Sequence, residues 1–233
     1  MNSHPDQKDL ARQVHERLLA FFETPEWGNP QPPLDELVCT ILSQNTNDIN
    51  RDRAYSRLRD RFPTWEEVRD AGKIEIVDAI RPAGLANKKG PRIQSILREI
   101  TQERGSLDLS FLEEMSILEA GTWLSSFKGV GPKTTAIVLL FSLGKPAFPV
   151  DTHIYRVSGR LGLRPEKMSA EQAHVHLAKL FPENEYGPVH LNLIRLGREI
   201  CAARKPNCRE CPLQDICEYY QGGKFDGPLM VSD

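Results

Sequence analysis

The amino-acid sequence predicts an all-α fold, and three kinds of observation lead to this prediction. Apolar residues recur along most of the chain at the i, i+3, i+4, i+7 spacing of a helix with one buried face. Capping residues, glycines and prolines divide these segments at intervals that suit helices. The sequence shows no sustained alternation of apolar and polar residues between turn signals, so we expect no β-sheet.

The predicted helices follow one another with short polar connections. The second helix shows the pattern most clearly, because the apolar residues between Leu34 and Leu42 fall on one face. Thr64 and Glu67 have the spacing of a capping box, which marks the start of the fourth helix. In chain order we predict helices at 9–22, 34–42, 51–62, just after Thr64, and at 73–80, 93–103, 112–126, 132–144, 152–163, 170–180 and 188–202.

Composition limits the class of protein. The 233 residues, 39% of them hydrophobic, can form one large domain or two small ones with a real core. The polar segment from Met1 to Leu10 does not resemble a signal peptide, and no apolar run is long enough to span a bilayer. We therefore expect a soluble, cytoplasmic protein without membrane contact. We also expect it to be a monomer.

The overall charge of −2 and the pI of about 6.3 argue weakly against a nucleic-acid partner, but the cations are clustered. Two segments are strongly basic, and each is explained either as a solvated face or as a phosphate-binding surface. The first carries no acid and contains Arg81, Lys88, Lys89, Arg92 and Arg98; the second is opposed only by Glu199 and contains Arg195, Arg198, Arg204, Lys205 and Arg209.

The stretch 125–154 contains a predicted hairpin between two helices. Gly129 and Gly131 let the chain turn tightly with positive φ and expose backbone N–H groups. Pro132 suits the first position of the following helix. The hairpin is therefore predicted to bind an anion at a helix N-terminus, although an ordinary helical hairpin has the same local sequence.

Two residues of the same stretch indicate chemistry. Lys133 lies in the first helical turn, where the positive end of the helix dipole favours a neutral amine. Asp151 follows the helix, and a carboxylate near an amine nucleophile can accept its proton or stabilise a developing cation. The alternative is an ordinary surface lysine.

Two loops remain ambiguous from sequence. The polar string from Ser43 to Asn50 is either a helix end with its turn or a row of amides that faces a groove. In the glycine- and proline-rich segment 81–91, Leu85 stands among cations. Its simplest interpretation is a leucine buried beneath a connecting loop.

Four of the five cysteines, Cys201, Cys208, Cys211 and Cys217, lie within seventeen residues with the spacing C-x6-C-x2-C-x5-C. Clustered thiols in a cytoplasmic chain predict a metal site. The single compact run favours a [4Fe–4S] cluster, and zinc remains the alternative. Arg204 and Lys205 lie within the ligand loop and could bind DNA phosphates. Cys39, on the apolar second helix, is predicted to be a core residue.

The segments FKGVGPKTTA and VDTHIYRV and the cysteine spacing, in this order, resemble the endonuclease III branch of the helix-hairpin-helix DNA glycosylases. The resemblance extends from about Leu34 to Cys217. It implies a six-helix barrel domain with the hairpin, at 27–148, and a second domain at 1–26 and 149–233 with an iron–sulfur cluster. It also implies that DNA lies in a cleft between the two domains.

The resemblance assigns functions to individual residues. It places the catalytic lysine at Lys133, the catalytic aspartate at Asp151, and the cluster ligands at the four clustered cysteines. Leu85 becomes a residue inserted into the DNA stack. The polar motif reads LSQNTND here, whereas the best-known bacterial version reads LSAQATD, so either Gln44 or Asn45 would fill the stack. The implied DNA contacts are Gln44, Asn45, Asp48, Leu85, Lys88, Gly129, Val130, Gly131, Arg204 and Lys205.

The implied function is that of a bifunctional DNA glycosylase and AP lyase of base excision repair. Such an enzyme removes oxidised pyrimidines from damaged duplex DNA and cleaves the strand 3′ to the abasic site through a lysine Schiff base. The alternatives are a mismatch-specific glycosylase, a mainly monofunctional glycosylase, and a DNA-binding module without catalysis. The last would bind regardless of damage, with a steep salt dependence.

Overall fold

The computed structural model describes residues 6–26 and 28–224. It contains helices and turns and, over those ranges, no β-strand, so the prediction of an all-α fold is confirmed. No helix in the described ranges is long and apolar enough to cross a membrane. The helices are α1 Gln7–Phe22, α2 Pro33–Ser43, α3 Asp48–Arg61, α4 Trp65–Asp70, α5 Lys73–Ala79, α6 Ala86–Arg104, α7 Ile117–Ser126, α8 Pro132–Ile137, α9 Thr152–Leu161, α10 Ala170–Ala178, α11 Tyr186–Glu199 and α12 Glu218–Gln221.

The chain forms two compact units. Asn29–Lys145 make up one, called here the central unit, and it contains α2 to α8. The residues before Asn29 join those from Pro146 onward in the other, called here the terminal unit. The boundaries predicted at 27 and 148 stay a prediction, and positions 1–5, 27 and 225–233 of the predicted domains lie outside the described residues.

Helix α2 lies in the core of the central unit, and its residues from Leu37 to Leu42 are all buried. It packs against α3, α6 and α8. The predicted capping box is present at the start of α4, where the Thr64 hydroxyl accepts from the Glu67 N–H at 3.2 Å. Local sequence thus determines where these helices start, and burial of their apolar faces holds the helices together.

Helix α6 is longer than the sequence predicted. It begins at Ala86, not at Ile93, and Pro91 lies inside it. A proline ring normally clashes with the Cβ atom of the preceding residue in helical conformation, and this clash is missing because that residue is Gly90. Gly90 is also packed closely, since an added Cβ atom would approach Ile76 Cγ2 to 3.3 Å.

Two further helices differ from expectation. The predicted helix at 112–126 is divided into a 3₁₀ turn at Ser110–Glu113 and α7, because Ser116 caps α7 in a capping box with Glu119. After Ile137, α8 continues as a π-helix over Val138–Ser142.

The terminal unit is built around the contact between α9 and α11. The predicted inward residues Ile154, Val157 and Leu161 are buried on α9. Gly162 ends this helix in the left-handed conformation at φ 82°, which places the following chain against it. Helix α1 packs against α11 and adds Leu18 to this core.

Candidate functional site

The predicted hairpin connects α7 to α8 in the central unit. The Val130 N–H donates to the Phe127 carbonyl at 3.0 Å, and the Val130 side chain is buried. Gly129 has a φ of 89°, which favours glycine. Gly131 is the N-cap of α8 at φ −99°, so the prediction of a positive φ at this glycine is wrong. Its backbone is extended, and any residue could adopt it.

Lys133 is the second residue of α8 and is half-buried. The carboxyl group of Glu36, on α2, lies within electrostatic reach of Lys133. Burial raises the pKa of Glu36, and the hydrogen bond that Thr40 Oγ1 donates at 3.1 Å opposes this rise. The positive charges of Arg51 and Lys133 oppose it as well. Sequence reasoning missed Glu36, although an acid one residue before an apolar run was a visible signal.

Asp151 lies in the terminal unit and is the N-cap of α9. Its Oδ1 atom accepts the Ile154 N–H at 2.7 Å, which fixes the orientation of the carboxylate. The half-buried Asp151 therefore has a structural task at the start of α9 that the sequence pattern did not reveal.

The polar string after α2 brings its first amide to the hairpin. Gln44 Nε2 donates to the Gly129 carbonyl at 3.4 Å, and Gln44 Oε1 accepts from Arg92 Nη1 at 2.9 Å. Asn45 is exposed and has the left-handed φ of 53°. Asp48 begins α3 and pairs with Arg51 at 3.3 Å. The structure thus separates two neighbouring amides, one held and one exposed.

The turn before α6 exposes Leu85, so the interpretation as a buried loop leucine is wrong. The Leu85 side chain is 49% exposed, and its backbone has φ 49° and ψ 28°. Such a left-handed conformation costs a leucine about 1 kcal/mol or more. Lys88 is exposed on the first turn of the same helix.

Lys89, next to Lys88, is buried to 2% exposure. Its Nζ atom donates to the Leu42 carbonyl at 2.7 Å and to the Ala83 carbonyl at 2.8 Å. Burial lowers the pKa of this amine to about 8, and the charge of Arg92 acts in the same direction. In the sequence, Lys89 is only one cation of a basic segment, because nothing local distinguishes it from Lys88.

The four clustered cysteines line a single pocket of the terminal unit. Burial, together with a smaller contribution from the other three cysteines, raises the pKa of the Cys211 thiol to about 11. Arg160 Nη1 donates to Cys201 Sγ at 3.2 Å. Thiolates collected in one buried place repel one another unless a cation joins them, so the donor set suits a metal group.

The arrangement does not resemble a site for one ion. In the described ranges, no three His, Cys, Asp or Glu side chains form a group that could hold a single metal ion. A tetrahedral zinc site would require all four sulfurs at about 2.3 Å from one centre. The four cysteines nevertheless line one pocket, so their thiolates could together hold a metal group. In the loop between them, Arg204 and Lys205 are exposed, and Lys205 has φ 50°.

Comparison with known proteins agrees with these features. Residues 38–183 match the family described as HhH-GPD superfamily base excision DNA repair protein. The chain therefore belongs to the HhH-GPD superfamily of base excision DNA repair proteins. Endonuclease III of Thermotoga maritima is 34% identical over 92% of this chain and 93% of that protein. Within the superfamily, the chain is an enzyme of the endonuclease III type, a class of DNA glycosylases and AP lyases.

Other relatives extend the comparison. The Arabidopsis thaliana protein At3g47830, named as a candidate DNA glycosylase, is 41% identical over 75% of this chain, which spans 59% of the plant protein. A solved non-covalent endonuclease III–DNA complex has a TM-score of 0.82 at 26% identity, covering 93% of this chain and 98% of that one. A trapped covalent endonuclease III–DNA intermediate has a TM-score of 0.80 at 26% identity, with the same coverage.

Proposed function

We propose that this enzyme is a bifunctional glycosylase and AP lyase that removes oxidised pyrimidines from duplex DNA and cleaves the strand 3′ to the abasic site. The observation that carries the proposal is the position of Lys133, one residue after the start of the helix that follows the glycine hairpin. A phosphate bound by the hairpin N–H groups would bring the adjoining sugar next to this amine. The trapped covalent complex of a similar endonuclease III supports chemistry through an enzyme nucleophile.

The damaged base must leave the stack before Lys133 can reach the sugar. Extruding a base costs a few kcal/mol, and least for a damaged one. The neutral Lys133 amine then attacks C1′, a C–N bond forms, and the glycosidic bond breaks as the base departs with its electron pair and accepts a proton. The Lys133 nitrogen then loses one proton, and the C1′–O4′ bond of the sugar ring breaks as O4′ takes up a proton, which leaves a protonated Schiff base between Lys133 and C1′.

The Schiff base permits the second step. Its positive nitrogen acidifies the proton on C2′, and removal of this proton expels the 3′ phosphate, which breaks the C3′–O bond. Asp151 accepts the proton of Lys133 and stabilises the cationic sugar in the first step. A correctly placed proton acceptor typically contributes about 10²–10⁴-fold in rate.

The remaining DNA contacts are assigned to groups of the central unit that are exposed or not already hydrogen-bonded within the described residues. The N–H groups of Gly129 and Gly131 bind a backbone phosphate, and Val130, whose N–H donates to the Phe127 carbonyl, holds the turn between them. Leu85, exposed in a strained turn, enters the gap left by the extruded base. Asn45 is better suited than Gln44 to occupy the gap in the base stack on the side of the opposite strand. Gln44 is less suited because its side chain is already hydrogen-bonded to Arg92 and Gly129.

Charged residues complete the proposed DNA surface. Lys88, Arg204 and Lys205 are exposed and attract phosphates. Asp48, bonded to Arg51 at the start of α3, supports the loop before it. The protein is proposed to act on DNA as a cytoplasmic monomer, as its sequence predicts.

The cysteine pocket is proposed to hold a [4Fe–4S] cluster through Cys201, Cys208, Cys211 and Cys217. When bound, the cluster supplies thiolate–iron bonds that fix the loop and requires no electron transfer. The single compact cysteine run, all four members of which line one pocket, supports the cluster over zinc. The cluster would thereby order the segment that presents Arg204 and Lys205 to phosphates.

Borohydride reduction tests the proposed chemistry. Wild-type protein is mixed with duplex that contains an oxidised pyrimidine, and a covalent protein–DNA adduct is expected on a denaturing gel. Lys133→Gln should abolish the adduct. Lys73→Gln, at an exposed lysine that begins α5, is the matched control and should retain it.

Each of three other results would contradict the proposal and indicate a different function. Base release without an adduct would indicate a monofunctional enzyme. Release restricted to mismatched bases in a panel of lesion duplexes would indicate a mismatch glycosylase. Binding that ignores damage, together with no base release, would indicate a DNA-binding module.

A further inference from the structure

Helix α6 carries two cations, Lys89 and Arg92, that are one turn apart and contact three different loops of the central unit. Lys89 joins the end of α2 to the turn before α6, since its Nζ atom donates to the Leu42 and Ala83 carbonyls at 2.7 and 2.8 Å. These two carbonyls are 41 positions apart in sequence and have no other common partner among the described hydrogen bonds. The ammonium is therefore a link between two segments.

Arg92 forms the second link. Its Nη1 atom donates to Gln44 Oε1 at 2.9 Å, and Gln44 Nε2 donates to the Gly129 carbonyl at 3.4 Å. The guanidinium also lies over the Cα atom of Gly129, where an added Cβ atom would come within 2.4 Å of Arg92 Nε. The hairpin and the polar string after α2 are thus both fixed against α6.

The linked segments carry proposed DNA contacts. Ala83 lies two residues before Leu85, and Leu42 lies two and three residues before Gln44 and Asn45. The hairpin offers its backbone N–H groups at Gly129 and Gly131. A change in any link would let one of these segments move relative to the others, because the loops themselves make few regular hydrogen bonds.

The chemistry of Lys89 indicates a specific task. Burying an ammonium group costs several kcal/mol before its new hydrogen bonds are counted, and an apolar side chain of similar length would avoid that cost. The three protons of the ammonium can bond carbonyls that point inward from separate segments, which no apolar residue can do. Leu85 keeps a left-handed backbone immediately next to this link, so the turn is held in a conformation it would not choose alone.

We propose that Lys89 and Arg92 are positioning residues that hold the Leu85 turn, the Gln44–Asn45 loop and the Gly129 hairpin as one rigid DNA-reading surface. The inference rests on the proposed function, because it concerns how the same site engages DNA. Insertion of Leu85 into the DNA stack would then be coupled to phosphate binding by the Gly129 hairpin. Neither Lys89 nor Arg92 needs to touch the DNA for this effect.

Stacking in a bound duplex provides the test. The duplex contains a tetrahydrofuran abasic-site analogue with 2-aminopurine as the neighbouring base, whose fluorescence rises when it loses its stacking partner. The analogue offers no aldehyde, so binding requires no amine chemistry. Fluorescence and affinity are measured at one salt concentration for wild type, Leu85→Ala, Lys89→Met, the Leu85→Ala/Lys89→Met double variant and Arg92→Met. Lys73→Met, an exposed lysine of α5, controls for loss of one charge.

Wild type should change the fluorescence in a Leu85-dependent way. Lys89→Met should reproduce the fluorescence of Leu85→Ala and lower affinity by about tenfold, and the double variant should lose less than about twofold beyond Leu85→Ala. This non-additivity is the sign of positioning, because a residue that contributed to DNA binding independently of Leu85 would multiply the loss, and one that only stabilised the fold would leave the affinity unchanged. Lys73→Met should resemble wild type, and all variants are compared below their melting temperatures.

Several results would overturn the inference. They are equal fluorescence for wild type and Leu85→Ala, unchanged fluorescence in folded Lys89→Met, and losses that multiply in the double variant. If Lys89→Met does not fold, Arg92→Met tests the proposal instead, because Arg92 is only half-buried. It should weaken binding and shift the fluorescence toward that of Leu85→Ala, and wild-type behaviour would refute the proposal. Failure of the proposed function is separate, since it appears as a missing borohydride adduct with wild type.

Discussion

The guanidinium of Arg92 occupies the space beside Gly129 that a side chain would fill. A Cβ atom added to Gly129 would lie 2.4 Å from Arg92 Nε and 2.5 Å from its Cζ, whereas a Cβ atom added to Gly131 would meet nothing within 4 Å. Gly129 also has a positive φ of 89°, and Gly131 does not. The fold therefore requires glycine at position 129 but not at position 131, where only the proposed phosphate contact gives a reason for the absence of a side chain.

Alanine substitution should separate these reasons. Gly129→Ala should lower the free energy of unfolding by about 1–3 kcal/mol, because it meets both a left-handed backbone and the Arg92 side chain. Gly131→Ala should cost less than about 1 kcal/mol but weaken binding to abasic-site duplex roughly tenfold, because its Cβ atom would stand before the N–H groups that hold phosphate. Urea unfolding and fluorescence anisotropy measure the two effects. Full DNA affinity in Gly131→Ala would argue against phosphate binding at this hairpin.

Leu85 should show a conflict between stability and function. Leu85→Gly removes the strain of the left-handed backbone, so the free energy of unfolding should stay the same or rise by up to about 1 kcal/mol. Leu85→Ala retains the strain and should bring no such gain. Both variants should release damaged base more slowly, because neither fills the gap in the duplex. Thermal unfolding and single-turnover excision test this, and wild-type excision by Leu85→Gly would exclude insertion of the leucine.

The buried amine of Lys89 should make stability depend on pH. Its pKa falls from the ordinary 10.5 to about 8 in the folded protein, so the unfolded chain binds more protons between these values. The cost of burying the charge is therefore present below about pH 8 and is relieved as pH rises toward 10.5. The shift corresponds to at most about 3 kcal/mol.

Comparison with Lys89→Met isolates this effect from other titrations. The free energy of unfolding of wild type should rise relative to that of Lys89→Met between pH 7.5 and 10, measured by urea unfolding at about one-unit steps. Lys73→Met, at an exposed lysine, should follow wild type. A wild-type curve parallel to that of Lys89→Met would mean that the two carbonyls stabilise the charged amine fully.

The cysteine pocket should determine the colour of the protein. Protein purified without oxygen should be brown, with visible thiolate-to-iron absorption and about four iron atoms per chain. Cys211→Ser should lose both iron and colour. Cys39→Ala is the matched control and should keep them, because Cys39 lies in the other compact unit and its buried thiol has a pKa raised to about 12 by desolvation. A colourless wild type containing zinc would refute the cluster.

Much of the fold could be predicted from local sequence. The α2 periodicity, the α4 capping box and the hairpin before α8 are present as expected, because apolar spacing and capping act between residues a few positions apart. The start of α6 was missed, because Pro91 normally ends a helix and only Gly90 removes the clash. The break before α7 was missed because two short apolar segments were joined across the Ser116 cap.

The sequence by itself determined the all-helical architecture, the family, the candidate lysine on α8 and the four-thiol run, since each depends on spacing along the chain. Only the tertiary structure decided that Lys89 is buried while Lys88 is exposed, that Gln44 is held while Asn45 is exposed, and that Glu36 lies within electrostatic reach of Lys133. The physical reason is that the environment of a polar side chain is set by carbonyls and charges from distant segments. Lys89 is distinguished from its neighbour by the Leu42 carbonyl, which lies 47 positions away in the chain.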